Sequence, residues 1–512
     1  MSEDRPIMTE RPRTNATSNL AAPYNTAEEL YFPPGFSFGS ATAAFQIEGG
    51  SHEDGREDSI WDTFARVPGA VFEGHDGSIA ADHYHRMPED VALMADLGLD
   101  TYRFSTSWAR IKPGDRGLNP QGMDFYSRLV DELLEHGIAP WLTLYHWDLP
   151  QALQEHGGWA NRDTAYRFAD YAVEVFDHLG DRVKQWTTLN EPWCSSFLSY
   201  AAGEHAPGHT NPAEAVAAAH HLLLGHGLAT SAMREAATKD QQLGITLNFT
   251  VADPHDPTNE ADIDAARRID GSFNRVFLDP IFRGQYPADV LHDMAAAGLE
   301  QHIHGNDMEI IATPIDMLGV NYYNGVQVTG PQTPPVPESA LTFPSERGLL
   351  RRSPAVGSER VRDRSRSLPQ TAMGWEVQPE GLERLLLRLQ EHYTGPAGIP
   401  MVITENGAAY NDQPDASGFV DDTKDRLAFI DAHLRATHRA ISRGADVRGY
   451  LLWSLLDNFE WAFGYSKRFG IVRVDYKTQA RIPKASARWY ADVARSHTVP
   501  AISPESMVRR NI

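Results

Sequence analysis

A single cysteine, Cys194, in 512 residues excludes an intrachain disulfide and any zinc site built on a cysteine cluster. Long apolar runs are missing too, so no segment reads as a membrane-spanning helix. The polar, proline-rich residues 1–27 lack the apolar stretch of a secretory leader and read as a disordered tail. Basic charge is in short supply. Against 69 Asp and Glu stand 46 Lys and Arg, a formal net charge of −23, which argues against nucleic acid and anionic membrane as partners. These features place the chain in the cytoplasm. Oligomeric state, a homo-oligomer included, stays open.

Aromatic side chains, by contrast, are plentiful: 11 Trp and 18 Tyr accompany an ordinary 41% hydrophobic and 22% charged composition. Such faces suit the apolar faces of sugar rings. Strand-like runs recur at residues 36–45, 99–105, 139–145, 184–190, 243–249, 317–322, 400–404 and 447–453, with helical patterns between them. A helix over 88–97 ends at Gly98, another over 421–443 ends at Gly444, and Pro212 opens a third. Eight strands alternating with helices predict an α/β fold, a single (β/α)8 TIM barrel over residues 28–495. Its chemistry would sit at the C-terminal strand ends, among long loops. Residues 329–370, rich in Pro, Ser and Arg, read as a long loop after strand six that sits over the mouth of the site. Residues 496–512 form a C-terminal tail.

Two carboxylates stand out on this frame. Glu191 follows the fourth strand in Thr188-Leu189-Asn190-Glu191-Pro192, where Pro192 favours a strand end over a helix start. Glu405 ends the seventh, before Asn406-Gly407. Taken alone, a strand-terminal glutamate more often pairs with a nearby Lys or Arg or faces water. Together they suit a facing pair, one a proton donor and one a nucleophile. Other strand ends carry Gln46, Arg103, His146-Trp147, Asn190, Asn321-Tyr322-Tyr323 and Trp453, then Asp457-Asn458-Phe459-Glu460-Trp461. Amides, an imidazole, carboxylates and indoles are what a polyhydroxylated ring requires. Three decoys are set aside. Gly35-Phe36-Ser37-Phe38-Gly39 places its serine inside a strand signal, not on an elbow. A metal held by His83 and His85 would call for further histidines at the ends of strands five and six, where Asn248-Phe249 and Asn321 stand instead, which removes a metal site; His220, His221 and His226 read as helix-surface or packing residues. Cys194 has no evident histidine base and reads as inert.

The stretches FSFGSATAAFQIEG, TLYHWDLPQAL, TTLNEPW, GVNYY, MGWEVQPEGL, ITENG and LLWSLLDNFEWAFGYSKRFGIVRVDY, with DHYHRMPEDVALMADLGLDTYRFSTSW, stand in order between about residues 36 and 490. Together they resemble glycoside hydrolase family 1, the beta-glucosidases; Thr106 and Ala109 are small departures beside Arg103. The resemblance implies Glu191 as acid/base and Glu405 as nucleophile, with Arg103, Asn321 and Tyr323 orienting the latter. It implies that Gln46, His146, Trp147, Asn190, Glu460, Trp461 and Phe469 contact substrate, with Trp453 beneath the sugar and Trp375 on the aglycone side. It further implies retention, with carboxyl groups about 5–5.5 Å apart, a small-molecule beta-glycoside such as cellobiose as substrate, and no cofactor or metal. The rivals are a non-catalytic sugar binder, which would lack one carboxylate, and a 6-phospho-beta-glycosidase, which Glu460 opposes by charge. Glucose against galactose or fucose is left open.

Overall fold

In the computed structural model, which describes residues 28–114, 117–330 and 341–501, eight parallel strands close into one barrel. In chain order they are β1 (Ser37–Ala41), β2 (Thr101–Ser105), β3 (Ala139–Tyr145), β4 (Gln185–Asn190), β5 (Gln242–Phe249), β6 (Met317–Tyr322), β7 (Met401–Asn406) and β8 (Val447–Trp453). β8 pairs with both β7 and β1, which closes the ring. The eight expected runs are the eight barrel strands. β1 departs most: it stops at Ala41, and Ala44–Ile47 forms a short helix. Gln46 therefore sits on that helical turn, beyond the strand.

Alternation along the strands sorts the core. Leu142, Leu144, Leu318, Val320 and Ile403 belong to the main hydrophobic core, while Trp141, Met317, Val402 and Leu451 form a separate small cluster. This second cluster plugs the barrel interior. Two or four residues further along the same faces stand Thr143, Thr404, Asn321 and Trp453. The interior thus changes from apolar to polar toward the strand C-termini, which is what lets charged groups be buried there at all.

Gly98 and Gly444 take φ values of +70° and +100° and end their helices as expected. The helix before Gly98 begins earlier than proline placement suggested, at His83, with Pro88 inside it. Its added turn is held by His83 to Asp90 at 2.8 Å and by His85 to Asp82 and Glu53. Asn211 caps Pro212–Ala236 through the Ala213 amide. The three histidines of that helix are buried, which selects the packing alternative over the surface one. His220 meets Tyr286 and Asp307, His221 the Trp159 carbonyl, and His226 the Thr188 hydroxyl.

The segment after β6 is more ordered than its composition suggests. Thr342–Pro344 and Leu350–Arg352 form a hairpin, and Arg362–Arg364 pairs with Val326–Thr329, which in turn pairs with Ala252–Pro254. Arg347 reaches the carbonyls of Ala70 and Ala462, and the Arg352 amide bonds Ala202. The hairpin therefore bridges the loops after β1, β4 and β8. Its order comes from contacts distant in sequence, which local periodicity does not encode. Near the other end, Thr498–Val499 pairs with Leu30–Tyr31. The expected tail over 1–27 and residues 502–512 lie outside the described residues.

Candidate active site

Glu405 lies within β7, and the turn behind it tolerates only glycine: a Cβ on Gly407 would stand 1.7 Å from the Trp453 carbonyl oxygen. Glu191 follows β4 with φ +48°. Pro192 opens the next helix, and the Glu191 carbonyl accepts from the amides of Cys194 and Ser195. So Glu191 both leaves the strand and opens a helix, in a left-handed conformation that costs a non-glycine residue on the order of 1 kcal/mol. That sharp turn aims its side chain at the barrel axis.

Arg103 ties the two sites together. Its Nη1 donates to Glu405 Oε1 at 2.7 Å and its Nη2 to Asn190 Oδ1 at 2.7 Å, while Nε is held by Thr143. Tyr323 donates its hydroxyl to Glu405 Oε2 at 2.8 Å. Asn321 Nδ2 donates to Glu191 Oε1 at 2.7 Å and to Asn190 Oδ1 at 3.1 Å, and Thr404 steadies the Asn321 carbonyl. The closest carboxylate to Asn321 is thus Glu191, although Asn321 also favours the ionised form of Glu405.

Because Arg103 can only donate, Asn190 Oδ1 is an acceptor and Asn190 Nδ2 faces His146 Nε2, 3.0 Å away. His146 Nε2 then accepts, and the imidazole proton sits on Nδ1, which is buried and has no partner among the described residues. Gln46 is oriented likewise: its Nε2 donates to Asn458 Oδ1 and to the Phe459 carbonyl, and its side chain also favours the ionised form of Glu460, while Gln46 Oε1 and Glu460 Oε2 are buried without a partner among the described residues. One donor and two carboxyl or carboxamide oxygens around this cluster are thus buried without a partner among the described residues. Such groups are costly unless something polar meets them.

Burial, and then the charge of Glu405, push Glu191 up to about 8. Burial raises Glu405 as well, but Arg103 and Tyr323 oppose that rise. The ion pair with Arg103 belongs to Glu405, so the single negative charge of the pair rests there and the proton on Glu191. Glu460 is also pushed up to about 8, by burial and by the other two glutamates. Burial and then Arg103 hold His146 well below its usual range, hence neutral.

Aromatic rings flank this cluster on two sides. Trp453 stacks on His146 (5.7 Å, 22°), and Trp147 and Trp461 meet at 4.6 Å. Trp147 spends its indole N–H on the Asn190 carbonyl. On the Glu405 side Tyr323, Trp375 and Phe469 form a second group, with centroids 5.4–6.2 Å apart. The residues that the family motifs assign to the site lie around one cluster, whereas Tyr322, bonded to the Gln378 carbonyl, and Asp457, paired with Arg468 and Lys484, turn away from it. Asn458, named among the strand-end residues but given no role, orients Gln46; Thr404, which orients Asn321, and the contact of Cys194 with Glu191 were not foreseen. Their positions, within two residues of Glu460, beside Glu405 and three beyond Glu191, were the available signal. Ser37 begins β1 far from a helix, so the serine-elbow pattern is incidental.

Comparisons agree with this geometry. The family model described as "Glycosyl hydrolase family 1" matches residues 28–499. The chain is 49% identical to the "Thermostable beta-glucosidase B" of Thermobispora bispora, over 93% of each chain. It is 46% identical to the "Bifunctional beta-D-glucosidase/beta-D-fucosidase" of Bifidobacterium breve, covering 92% of this chain and 99% of that one. The crystal structure of the psychrophilic beta-glucosidase BglU from Micrococcus antarcticus superposes with a TM-score of 0.86 at 55% identity, over 91% of this chain and 98% of that one.

Proposed function

The chain belongs to glycosyl hydrolase family 1, and we propose that it is a retaining beta-glucosidase in which Glu405 is the nucleophile and Glu191 the acid/base. The observation that carries the reading is the asymmetric pair: Glu405 clamped by Arg103 and Tyr323, Glu191 held by neutral Asn321 and bearing the proton. Glycosidic cleavage needs that division. Glu191 gives its proton to the leaving oxygen as Glu405 attacks C1, and the C1–O bond to the aglycone breaks. The new ester neutralises Glu405, which removes the charge that had raised Glu191. Glu191 is then a carboxylate and takes a proton from water as water attacks C1, releasing the beta-anomer and Glu405.

The unpartnered His146 Nδ1–H, Gln46 Oε1 and Glu460 Oε2 supply donor and acceptors for sugar hydroxyls, with Trp453 as platform. Cellobiose, short cello-oligosaccharides and aryl beta-glucosides are the substrates we assign; the Bifidobacterium relative's name adds beta-fucosides to the panel worth assaying. A non-catalytic role is disfavoured by the retention of both carboxylates. No described helix is long and apolar enough to cross a membrane; a cytoplasmic location is part of the proposal, supported by the single cysteine. The test is hydrolysis of 4-nitrophenyl beta-glucoside followed by NMR of the first-formed anomer. Beta-glucose is expected, together with covalent labelling of Glu405 by a 2-fluoroglucoside bearing a good leaving group. Alpha-glucose as the first product, or no turnover, would refute it.

A further inference from the structure

The hydrogen-bond chain that starts at Arg103 also says which oxygen of Glu191 carries the proton. Asn190 Oδ1 accepts from Arg103, so the Asn321 atom 3.1 Å from it is the amide nitrogen. That nitrogen donates to Glu191 Oε1 at 2.7 Å. Oε1 is occupied as an acceptor, which leaves Oε2 as the seat of the acid proton. Oε2 lies 3.1 Å from Cys194 Sγ, and both side chains are buried. Cys194 stands in the first turn of the helix that Glu191 opens, its amide bonded to the Glu191 carbonyl at 2.9 Å. Backbone and side chain thus dock the same two residues.

We propose that Cys194 is a positioning residue for Glu191, its thiol accepting Oε2–H when Glu191 is the acid and donating S–H to Oε2 when Glu191 is the base. The proposal rests on the acid/base reading of Glu191. A thiol is a weak donor and a weak acceptor, so it can follow the carboxyl through both protonation states without holding either too firmly. Asn321 cannot do this, because its amide nitrogen only donates. The other groups facing Glu191 act by charge: Glu405 raises it and Arg103 lowers it, while Cys194 lowers it by hydrogen bonding. Tyr323 and Glu460 face the same cluster, and both feel its charge. Burial, then the charge of Glu191, push the thiol well above its usual range, so it stays protonated and does not compete as a nucleophile. Asn248 also meets the sulfur, its Nδ2 donating to Sγ at 3.8 Å.

Cys194→Ala and Cys194→Ser, compared with the unmodified enzyme on an aryl glucoside with a poor leaving group, test the idea. In Cys194→Ala the carboxylate loses its donor, so the alkaline limb of kcat/KM moves up by about half a pH unit, and kcat on the poor leaving group falls several-fold. Cys194→Ser restores a two-way partner and returns the limb to the unmodified position or below it. A limb in Cys194→Ala within about 0.1 unit of the unmodified enzyme, or identical behaviour of the two variants, would overturn the proposal. Should Cys194→Ala fold poorly, a carbon-13 titration of Glu191 in Cys194→Ser against the unmodified enzyme reads the same contact: a shift is expected, and coincident curves refute it. An alkaline limb that survives in Glu191→Ala would instead remove Glu191 from its role, and this proposal with it.

Discussion

Arg103 Nη2 and Asn190 Oδ1 stand 2.7 Å apart, and that contact sets donor and acceptor roles across the floor of the site. Arginine has no acceptor, so the orientation of Asn190 is forced. From it follow the Nδ1 tautomer of His146, the orientation of Asn321 and the side of Glu191 that bears the proton. One buried cation thereby pre-organises both the charged and the neutral carboxyl, at no reorganisation cost during reaction.

Replacing Glu405 with glycine should abolish hydrolysis while leaving the fold intact. Its Oε1 and Oε2 are the atoms held by Arg103 and Tyr323, and nothing else in the cluster occupies that place. Azide or formate should partly restore cleavage of an activated aryl glucoside, with azide giving the alpha-glucosyl product. Wild-type-like turnover without added nucleophile would refute the assignment.

Glu191→Ala should slow cleavage of cellobiose by roughly 10²–10⁴-fold and spare a dinitrophenyl glucoside at the first step, because a good leaving group needs little protonation. Equal losses on both substrates would count against a proton-donor role. The alkaline limb of kcat/KM, expected near the value of about 8 to which burial and Glu405 raise Glu191, should vanish in this variant.

Stability should show the same titration. Glu191 rises from 4.5 to about 8 on folding, so the folded chain keeps a proton that the unfolded chain has released. Its contribution to stability is present below the unfolded value and is lost as pH rises through about 8. Glu191→Gln does not titrate. Its melting temperature relative to the unmodified enzyme should therefore increase from pH 5 to pH 9, as thermal melts across that range can read. A pH-independent difference would refute a Glu191 that keeps its proton on folding.

Arg103→Lys keeps the charge but loses the fork that spans Glu405 and Asn190. A fall in kcat/KM of about 10²-fold or more is expected, on the scale of removing one preorganised transition-state contact. A variant within threefold of the unmodified enzyme, about 0.6 kcal/mol, would mean that charge alone suffices.

A 6-phosphoglucoside should be a poor substrate beside the plain glucoside. Arg468 is committed to Asp457 and the Val474 carbonyl, and Lys467 donates to the Ala372 carbonyl, so both nearby cations already have partners. The opposing charge of Glu460 is itself pH-dependent, since burial and the neighbouring carboxylates push that group up to about 8. Discrimination in kcat/KM should accordingly sharpen as pH rises toward 8, and a phosphorylated substrate turned over equally well would refute the role of Glu460.

The chain by itself determined the eight strands, their order and the residues at their ends, because strand periodicity, glycine stops and short ordered motifs are local properties. Glu191, Glu405, Arg103, His146 and Asn321 were all legible in that way. Local signals were weaker where a turn broke the pattern: Gln46 moved onto a helix, and Glu191 opened one. The hairpin of residues 342–352 was illegible, because its order is supplied by Ala70, Ala202 and Ala462 from three other loops. The family motifs already implied which carboxyl is the nucleophile; the closed barrel supplies the physical reason, with Arg103 and Tyr323 on Glu405 and Asn321 on Glu191. Arg103 and Glu405 are 302 residues apart in the chain, and only the fold buries them and brings them within 2.7 Å.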